Sequence, residues 1–232
     1  MTKIEKKEKV KTVFDPIAES YDLLNHLLSF GVDFYWRNRA IKLTDFSPEA
    51  KLLDVACGTG DFSIVARNKG GVKNIVGLDF SKEMMLQFMK KVPWAKGVLV
   101  QGVAEHIPFP NETFTNISVA FGVRNFYDIP KGLSEFHRVL KKGGKVTILE
   151  FRLPTNKFFK MIYRAYFHGI LPVIGKLISK NDESYKYLPR SVEEFERKVD
   201  TVKILKEVGF KDICITSLTF GIVQCIIAEK EK

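Results

Sequence analysis

The stretch Leu53-Asp54-Val55-Ala56-Cys57-Gly58-Thr59-Gly60 is an apolar run that stops at two glycines one residue apart. Lys51 to Cys57 has the length of a buried strand, and Phe62, Ile64, Val65 and Ala66 follow in a helical pattern. At a strand-to-helix turn, paired glycines let the backbone approach a ligand with no Cβ in the way. Asn74 to Leu78 reads as a second strand. It ends at Asp79, about 20 residues beyond the glycines, where a carboxylate can accept two ribose hydroxyls. Strand, glycine turn, helix and acid in that order predict a nucleoside-binding, Rossmann-like site.

The choice of nucleoside turns on charge. A pyrophosphate fingerprint needs a glycine three residues after Gly60, and Ser63 stands there. Asp54, at the loop entry, would repel a pyrophosphate but suits a cation. S-adenosylmethionine carries a sulfonium and an ammonium on an adenosine, so these residues point to a methyltransferase. A plainer reading of Asp54, that it caps its own loop backbone, stands beside this one.

Further strands are expected at Gly97 to Gln101, Phe114 to Ala120 and Lys145 to Leu149. Ser81 can cap a helix bearing Met84, Met85, Phe88 and Met89, and Pro130 to Leu140 forms another, closed by Lys141-Lys142-Gly143-Gly144. After a helix from Thr201 to Val208, stopped by Gly209, Asp212 to Thr216 and Ile222 to Ala228 are too closely joined for a parallel crossover. The expected fold is α/β and Rossmann-like, a mostly parallel seven-stranded sheet with an antiparallel last strand. Residues 1–45 are expected to form a charged tail and two lid helices, Pro16 to Phe30 and Phe34 to Leu43, split at Gly31 with Asp33 as an N-cap. Residues 46–232 form the cofactor-binding domain, with a helical insertion at about 152–195.

Composition narrows the class. Among 232 residues, 45% are apolar, which excludes a wholly disordered chain. The net charge of +10 favours anionic partners, although a lysine-rich solvated face is the simpler explanation. Cys57, Cys214 and Cys225 form no Cys-x-x-Cys pair, which argues against a disulfide framework or a zinc site and for a reducing cytoplasm. Met1 to Lys11 alternates lysine with glutamate and has no apolar signal region. Met161 to Ile178 is interrupted by Arg164, His168, Pro172 and Lys176, and no stretch reaches the roughly 20 apolar residues of a membrane span.

Several longer stretches carry a resemblance. They are LDVACGTGD (53–61), GLDFSKEM (77–84), AEHIPFP (104–110), FGVRN (121–125), FHRVLKKGGKVTILEF (136–151) and SYKYLPRSVEEF (184–195), preceded by Val13-Phe14-Asp15-Pro16 and Tyr21-Asp22. Together the chain resembles the menaquinone and ubiquinone biosynthesis C-methyltransferases of the class I S-adenosylmethionine-dependent superfamily. FGVRN and SYKYLP are the stretches specific to the quinone branch. The resemblance implies transfer of a methyl to a ring carbon of a 2-polyprenyl quinol such as demethylmenaquinol. It adds Thr59, Phe80, Val103 and Ala104 to the cofactor residues Asp54, Gly58, Gly60 and Asp79. Val103 departs from the Asp or Asn usual at that position, which leaves adenine recognition to the Ala104 backbone or lowers affinity.

Arg124 and Asn125 are the expected catalytic pair, Arg124 stabilising a developing phenolate and Asn125 orienting the oxygen or a water. Tyr21 is expected to contact the ring or relay a proton, and Asp22 to fix Arg124 or a water. The alternatives are an Arg124–Asp22 pair that only locks the lid, and a Tyr21 that is only a core aromatic. His26, His106, His137 and His168 are too scattered for a metal, and only His106 is expected near the cleft, as a cofactor wall. Between Phe151 and Glu194, Phe158, Phe159, Tyr163, Tyr166, Phe167, Tyr185 and Tyr187 form either a helical pair packed on the sheet or an apolar substrate lid. The cations Lys157, Lys160, Arg164 and Lys176 flank them, so peripheral contact with an anionic membrane is a further expectation, as is a homodimer. Methylation of another small aromatic or lipid acceptor, or of RNA, is the competing activity, though no basic strip interleaved with aromatics supports RNA.

Overall fold

A computed structural model describes residues 3–166, Gly169 and residues 182–231. Seven strands form one sheet: β1 (Lys51–Val55), β2 (Asn74–Asp79), β3 (Leu99–Gln101), β4 (Phe114–Ala120), β5 (Leu140–Phe151), β6 (Phe210–Leu218) and β7 (Val223–Lys230). Their order is β3-β2-β1-β4-β5-β7-β6, with β1 to β5 parallel and β7 antiparallel to both its neighbours. The chain reverses its direction of progress across the sheet between β1 and β4, and at such a switch point the carboxyl ends of the strands leave a crevice.

Alternation along β1 sends its side chains to opposite layers. Leu53 joins the cluster with Phe114, Ile117, Leu133 and Phe136, whereas Leu52 packs with Trp36, Ile41, Phe62 and Ala66. The covering helices are α1 (Lys3–Phe14), α2 (Tyr21–Leu28), α3 (Val32–Thr44), α4 (Asp61–Gly70), α5 (Lys82–Lys91), α6 (Ile129–Val139), α7 (Lys157–Ala165), α8 (Asp182–Lys198) and α9 (Thr201–Glu207). Ser81 caps α5 as expected, its hydroxyl accepting the Met84 amide at 3.2 Å.

Three expectations change. The charged tail is a helix, α1, whose Val10 and Val13 are buried and which packs on α8 and on the turn at Val123–Asn125. Lys6 of that helix donates to the Phe126 carbonyl. Lys141 to Gly144, expected to close a helix, lies inside β5, because α6 ends at Val139 and pairing with β4 already begins at Leu140. Asp33 does not cap α3. Left-handed Gly31 occupies the cap, and Asp33 is buried against Arg37 (2.5 Å), the Ser29 hydroxyl (2.6 Å) and His26 (2.8 Å).

In the insertion, the Asn156 side chain caps α7 by accepting the Phe158 amide at 2.9 Å. The helix is two-faced. Tyr163 is buried, whereas Phe158, Met161 and Ile162 are exposed. The expected roles of Phe167, His168 and Lys176 lie outside the described residues, as does the side chain of Tyr185. No described helix is long and apolar enough to cross a membrane.

Candidate active site

A cleft of about 770 Å³ lies at the carboxyl ends of β1, β2 and β4. Gly58, Asp79, Phe80, Val103 and Ala104 line it, together with Tyr21 and Asn125. Asp79 ends β2, and its carboxylate already holds two loops. Oδ2 accepts the Gly58 amide and Oδ1 the Ser81 amide, each at 2.8 Å. Each carboxylate oxygen keeps a lone pair, so two further donors can still be taken. Burial, reinforced by Asp15, pushes its pKa up to about 6, so the group is ionised at neutral pH.

The glycines divide their work. Gly58 has φ +54°, and a Cβ there would meet nothing within 4 Å, so its backbone borders open space in the cleft. Gly60 has φ +86°, and a Cβ would fall 2.2 Å from the Phe88 ring. Gly60 therefore seats α5 against the loop and does not line the cleft. An adenosine fits this cleft: ionised Asp79 at one strand end, a Cβ-free approach at Gly58, and the apolar side chains of Phe80, Val103 and Ala104 for a base.

Asp54 lies beneath the loop and is 1% exposed. Its Oδ2 accepts the Ser63 hydroxyl at 2.6 Å, and Oδ1 accepts the hydroxyl of Ser118, its register partner on β4, at 2.7 Å. Burial pushes its pKa up to about 6, against the pull of these hydroxyls and the Ser63 amide. Asp54 thus fastens the first turn of α4 to β4 through side-chain hydroxyls. It also borders a recess of about 360 Å³ shared with Thr59, Asp61 and Arg37.

A second cavity, of about 730 Å³, shares Phe14, Tyr21 and Phe121 with the cleft. Arg124 lines it and is 7% exposed. The expected contact between Arg124 and Asp22 does not form. Arg124 Nη1 instead donates to Glu150 Oε1 at 2.7 Å and to the Phe121 carbonyl, and Nε donates to the Ser191 hydroxyl at 3.3 Å. Burial is the largest influence and opposes its charge, but the Glu150 carboxylate together with the Tyr187 and Tyr21 hydroxyls holds its pKa above the usual arginine value. Among the described residues, Nη2 has no acceptor. Asp22 is used elsewhere. It accepts from the Thr59 hydroxyl and pairs with Lys91 at 2.7 Å.

Asn125 Oδ1 accepts the Tyr187 hydroxyl at 2.9 Å, which joins the Val123–Asn125 turn to α8. Tyr21, half-buried, lines both cavities at their junction. His106 is exposed and lines no part of the cleft, contrary to expectation. Its neighbour Glu105 holds the loop at Asp128, accepting that amide at 3.0 Å. His26, Asp33 and Asp61 converge within 4.8 Å, a cluster hidden by their separation in sequence. Arg37 already supplies the cation there, 2.5 Å from Asp33 and 3.3 Å from Asp61. Glu150 and Tyr187 join Arg124 and Asn125 as partners that the sequence reading does not include. Glu150 had a signal: it is the lone acid in the apolar run of β5, and a buried charge implies a partner.

Comparison with known proteins decides the family. The model of the ubiE/COQ5 methyltransferase family matches residues 1–230. The chain belongs to the ubiE/COQ5 methyltransferase family. This ubiE/COQ5 member is 45% identical over 231 residues to the ubiquinone/menaquinone biosynthesis C-methyltransferase UbiE of Geobacter sulfurreducens, covering 97% of this chain and 90% of that one. It is 42% identical over 225 residues to the demethylmenaquinone methyltransferase of Chlorobaculum tepidum, covering 95% and 92%. A SAM-dependent methyltransferase of Thermotoga maritima superposes with a TM-score of 0.65 at 17% identity, covering 95% of this chain and 99% of that one. The [4+2]-cyclase SpnF superposes nearly as well, with a TM-score of 0.64 at 14% identity and 97% of each chain covered. The last two show the fold alone, and a shared fold does not fix the reaction. Family and fold together make this ubiE/COQ5 member an S-adenosylmethionine-dependent methyltransferase, related to the demethylmenaquinone and menaquinone methyltransferases.

Proposed function

We propose that the protein methylates a ring carbon of a 2-polyprenyl quinol, demethylmenaquinol or a close relative. The observation that carries this reading is a buried guanidinium, Arg124, lining a largely apolar cavity that adjoins the cofactor cleft. An aromatic ring needs apolar walls, and its oxygen needs one strong donor. Arg124 Nη2 supplies that donor and lowers the cost of a phenolate, which pushes electron density onto the ring carbon.

S-adenosylmethionine supplies an electrophilic methyl on a sulfonium. The ribose hydroxyls fall to Asp79, and the adenine to Phe80, Val103 and the Ala104 backbone. Thr59 and Asp22 hold the glycine loop against α2, and Tyr21 packs where donor and acceptor meet. With the cofactor bound, the ring carbon would take the methyl as the sulfur–carbon bond breaks, S-adenosylhomocysteine would be the leaving group, and the ring proton would pass to water to restore aromaticity. Asn125, oriented by Tyr187, holds the oxygen or a water in place. Most of the acceleration comes from positioning and from exclusion of water.

Peripheral contact with an anionic membrane belongs to the same reading, since a prenylated acceptor resides in lipid. The exposed apolar face of α7, with Lys157 and Arg164 also exposed on that helix, supports it. The deciding experiment incubates the protein with labelled S-adenosylmethionine and, separately, cellular lipid, aqueous metabolites and RNA. Label is expected in a quinol of the lipid fraction. Label in RNA or in a water-soluble product would overturn the proposal.

A further inference from the structure

A third cavity, of about 790 Å³, continues outward from the one that holds Arg124. The two share six lining residues, Asn25, Leu28, Ser29, Trp36, Phe151 and Leu188. The middle cavity in turn shares Phe14, Tyr21 and Phe121 with the cofactor cleft, so all three lie in series. Their linings change along the way. Asp79 borders the first and Arg37, Asp33 and Arg124 the second, but among the described residues no charged side chain borders the third. Among the described residues its polar groups are neutral: Asn25, Ser29 and Thr219, with the Trp36 indole N–H and the Tyr166 hydroxyl turned to Thr219 and the Leu28 carbonyl.

We infer that the third cavity is the site of the acceptor's isoprenoid tail, entered from the Arg124 cavity and leaving the protein beside Phe30. The inference rests on the proposed quinol reading for its direction, ring inward and tail outward. A ring placed at Arg124 needs an uncharged, elongated path for its hydrocarbon, and this cavity continues directly from that one. Phe30 marks the outer end. It is 79% exposed, holds a left-handed backbone at φ +51°, and lies 6.1 Å from the Tyr166 ring. A bulky residue in that conformation is strained, and such strain gathers at ligand-binding positions. The Tyr166 hydroxyl donates to the Leu28 carbonyl, bracing α7 against α2 along the wall.

Ile222 borders the outer cavity and not the Arg124 cavity, so Ile222→Trp narrows the tail path and leaves the ring site intact. Val32→Trp does the same from α3. With a long-tailed quinol, each variant is expected to lose about tenfold or more in kcat/KM, since even one displaced methylene in an apolar pocket is felt at that level. With a single-prenyl quinol, both are expected to stay within about twofold of wild type, cofactor affinity included. Equal loss on both acceptors, or no loss on either in folded variants, overturns the inference.

A second readout needs no methyl transfer. Trp36 borders both inner and outer cavities and is buried, whereas Trp94 packs on Phe88 and Arg67. Geranylgeraniol is expected to shift Trp36 emission in wild type and in Trp94→Phe, but not in Ile222→Trp after correction for the added indole. Absence of any shift in wild type overturns the tail site. A shift in a protein that methylates no quinol leaves an isoprenoid site standing and removes the proposed reaction instead.

Discussion

Asp22, at the start of α2, accepts a hydrogen bond from the hydroxyl of Thr59 in the glycine loop. The N-terminal segment is therefore tied directly to the cofactor loop. A second tie runs from the Ser81 hydroxyl to Asp15 Oδ1 at 2.6 Å, on the other side of the cleft. These polar ties add to apolar packing, since Leu24 of the same helix is buried against Tyr163 and Val192 while Leu23 and Leu27 are exposed.

Loss of the Asp22 tie should loosen the lid. Asp22→Ala removes a charged acceptor from Thr59 and one partner of Lys91, which retains Asp61 at 2.6 Å. The ion pair is partly exposed and contributes little, so the Thr59 bond dominates, at about 1.5–3 kcal/mol for a bond to a charged group. Cofactor dissociation measured by stopped flow should quicken, with residues 15–28 more open to limited proteolysis. An unchanged dissociation rate would dismiss the tie as decoration.

Arg124→Lys keeps a positive charge but loses the fork that joins Glu150, the Phe121 carbonyl and Ser191 and holds Nη2 toward the cavity. Turnover of a quinol should fall far more than cofactor affinity, and Asn125→Ala should show the same pattern more weakly. Glu150→Ala should destabilise the fold by about 3–5 kcal/mol, because it strands a buried guanidinium. Single-turnover rates with calorimetry test the first pair, and urea denaturation tests the third. An Arg124→Lys enzyme at full speed would remove Arg124 from the chemistry.

Asp79 sets the pH response of cofactor binding. Its pKa of about 6 means that ionisation completes as pH rises through that value. Affinity for S-adenosylmethionine should therefore climb between about pH 5 and pH 7 and then level off. Asp79→Ala should bind weakly at every pH. It also frees the Gly58 and Ser81 amides, so its melting temperature must be recorded alongside. NAD should not compete. Flat calorimetric affinity from pH 5 to 8 would contradict the assignment.

Asp54 should act on stability in the opposite sense. Its folded pKa of about 6 lies above the ordinary aspartate value of 3.8, so the native state holds an extra proton between those values. Stability conferred by that proton is present at low pH and is lost as pH rises to about 6. Asp54→Asn, which carries no charge to desolvate, should flatten the stability profile of the apo protein between about pH 4 and pH 6. Urea midpoints at several pH values check this. Asp79 adds to the same slope, so the Asp54→Asn profile should flatten in part.

Membrane contact should depend on the outward face of α7. Phe158 is 60% exposed and Met161 62% exposed. Wild type should float with anionic vesicles at low salt and release in part at high salt, since each cation near such a surface contributes about 1 kcal/mol. Phe158→Ser with Met161→Ser should abolish flotation without unfolding, because neither side chain is buried. Wild type remaining at the bottom of the gradient would end the membrane proposal.

The sequence alone determined the strand–glycine–helix order, the placement of Asp79, the Ser81 cap and the antiparallel β6–β7 hairpin. These are short-range features, governed by side-chain periodicity, by turn length and by the conformations open to glycine. The FGVRN and SYKYLP stretches carried the family for the same reason, being written contiguously. Pairing across the fold was decided only by tertiary structure. Arg124 meets Glu150 because β4 and β5 are neighbours in the sheet, so the turn after β4 lies beside the end of β5. Asp22 is taken by Thr59 and Lys91 because α2 begins at the glycine loop, and no local pattern encodes that docking. Helix α1 was hidden for a related reason: its few apolar residues, Val10 and Val13 among them, become a buried face only once α8 and the Val123–Asn125 turn are there to cover them.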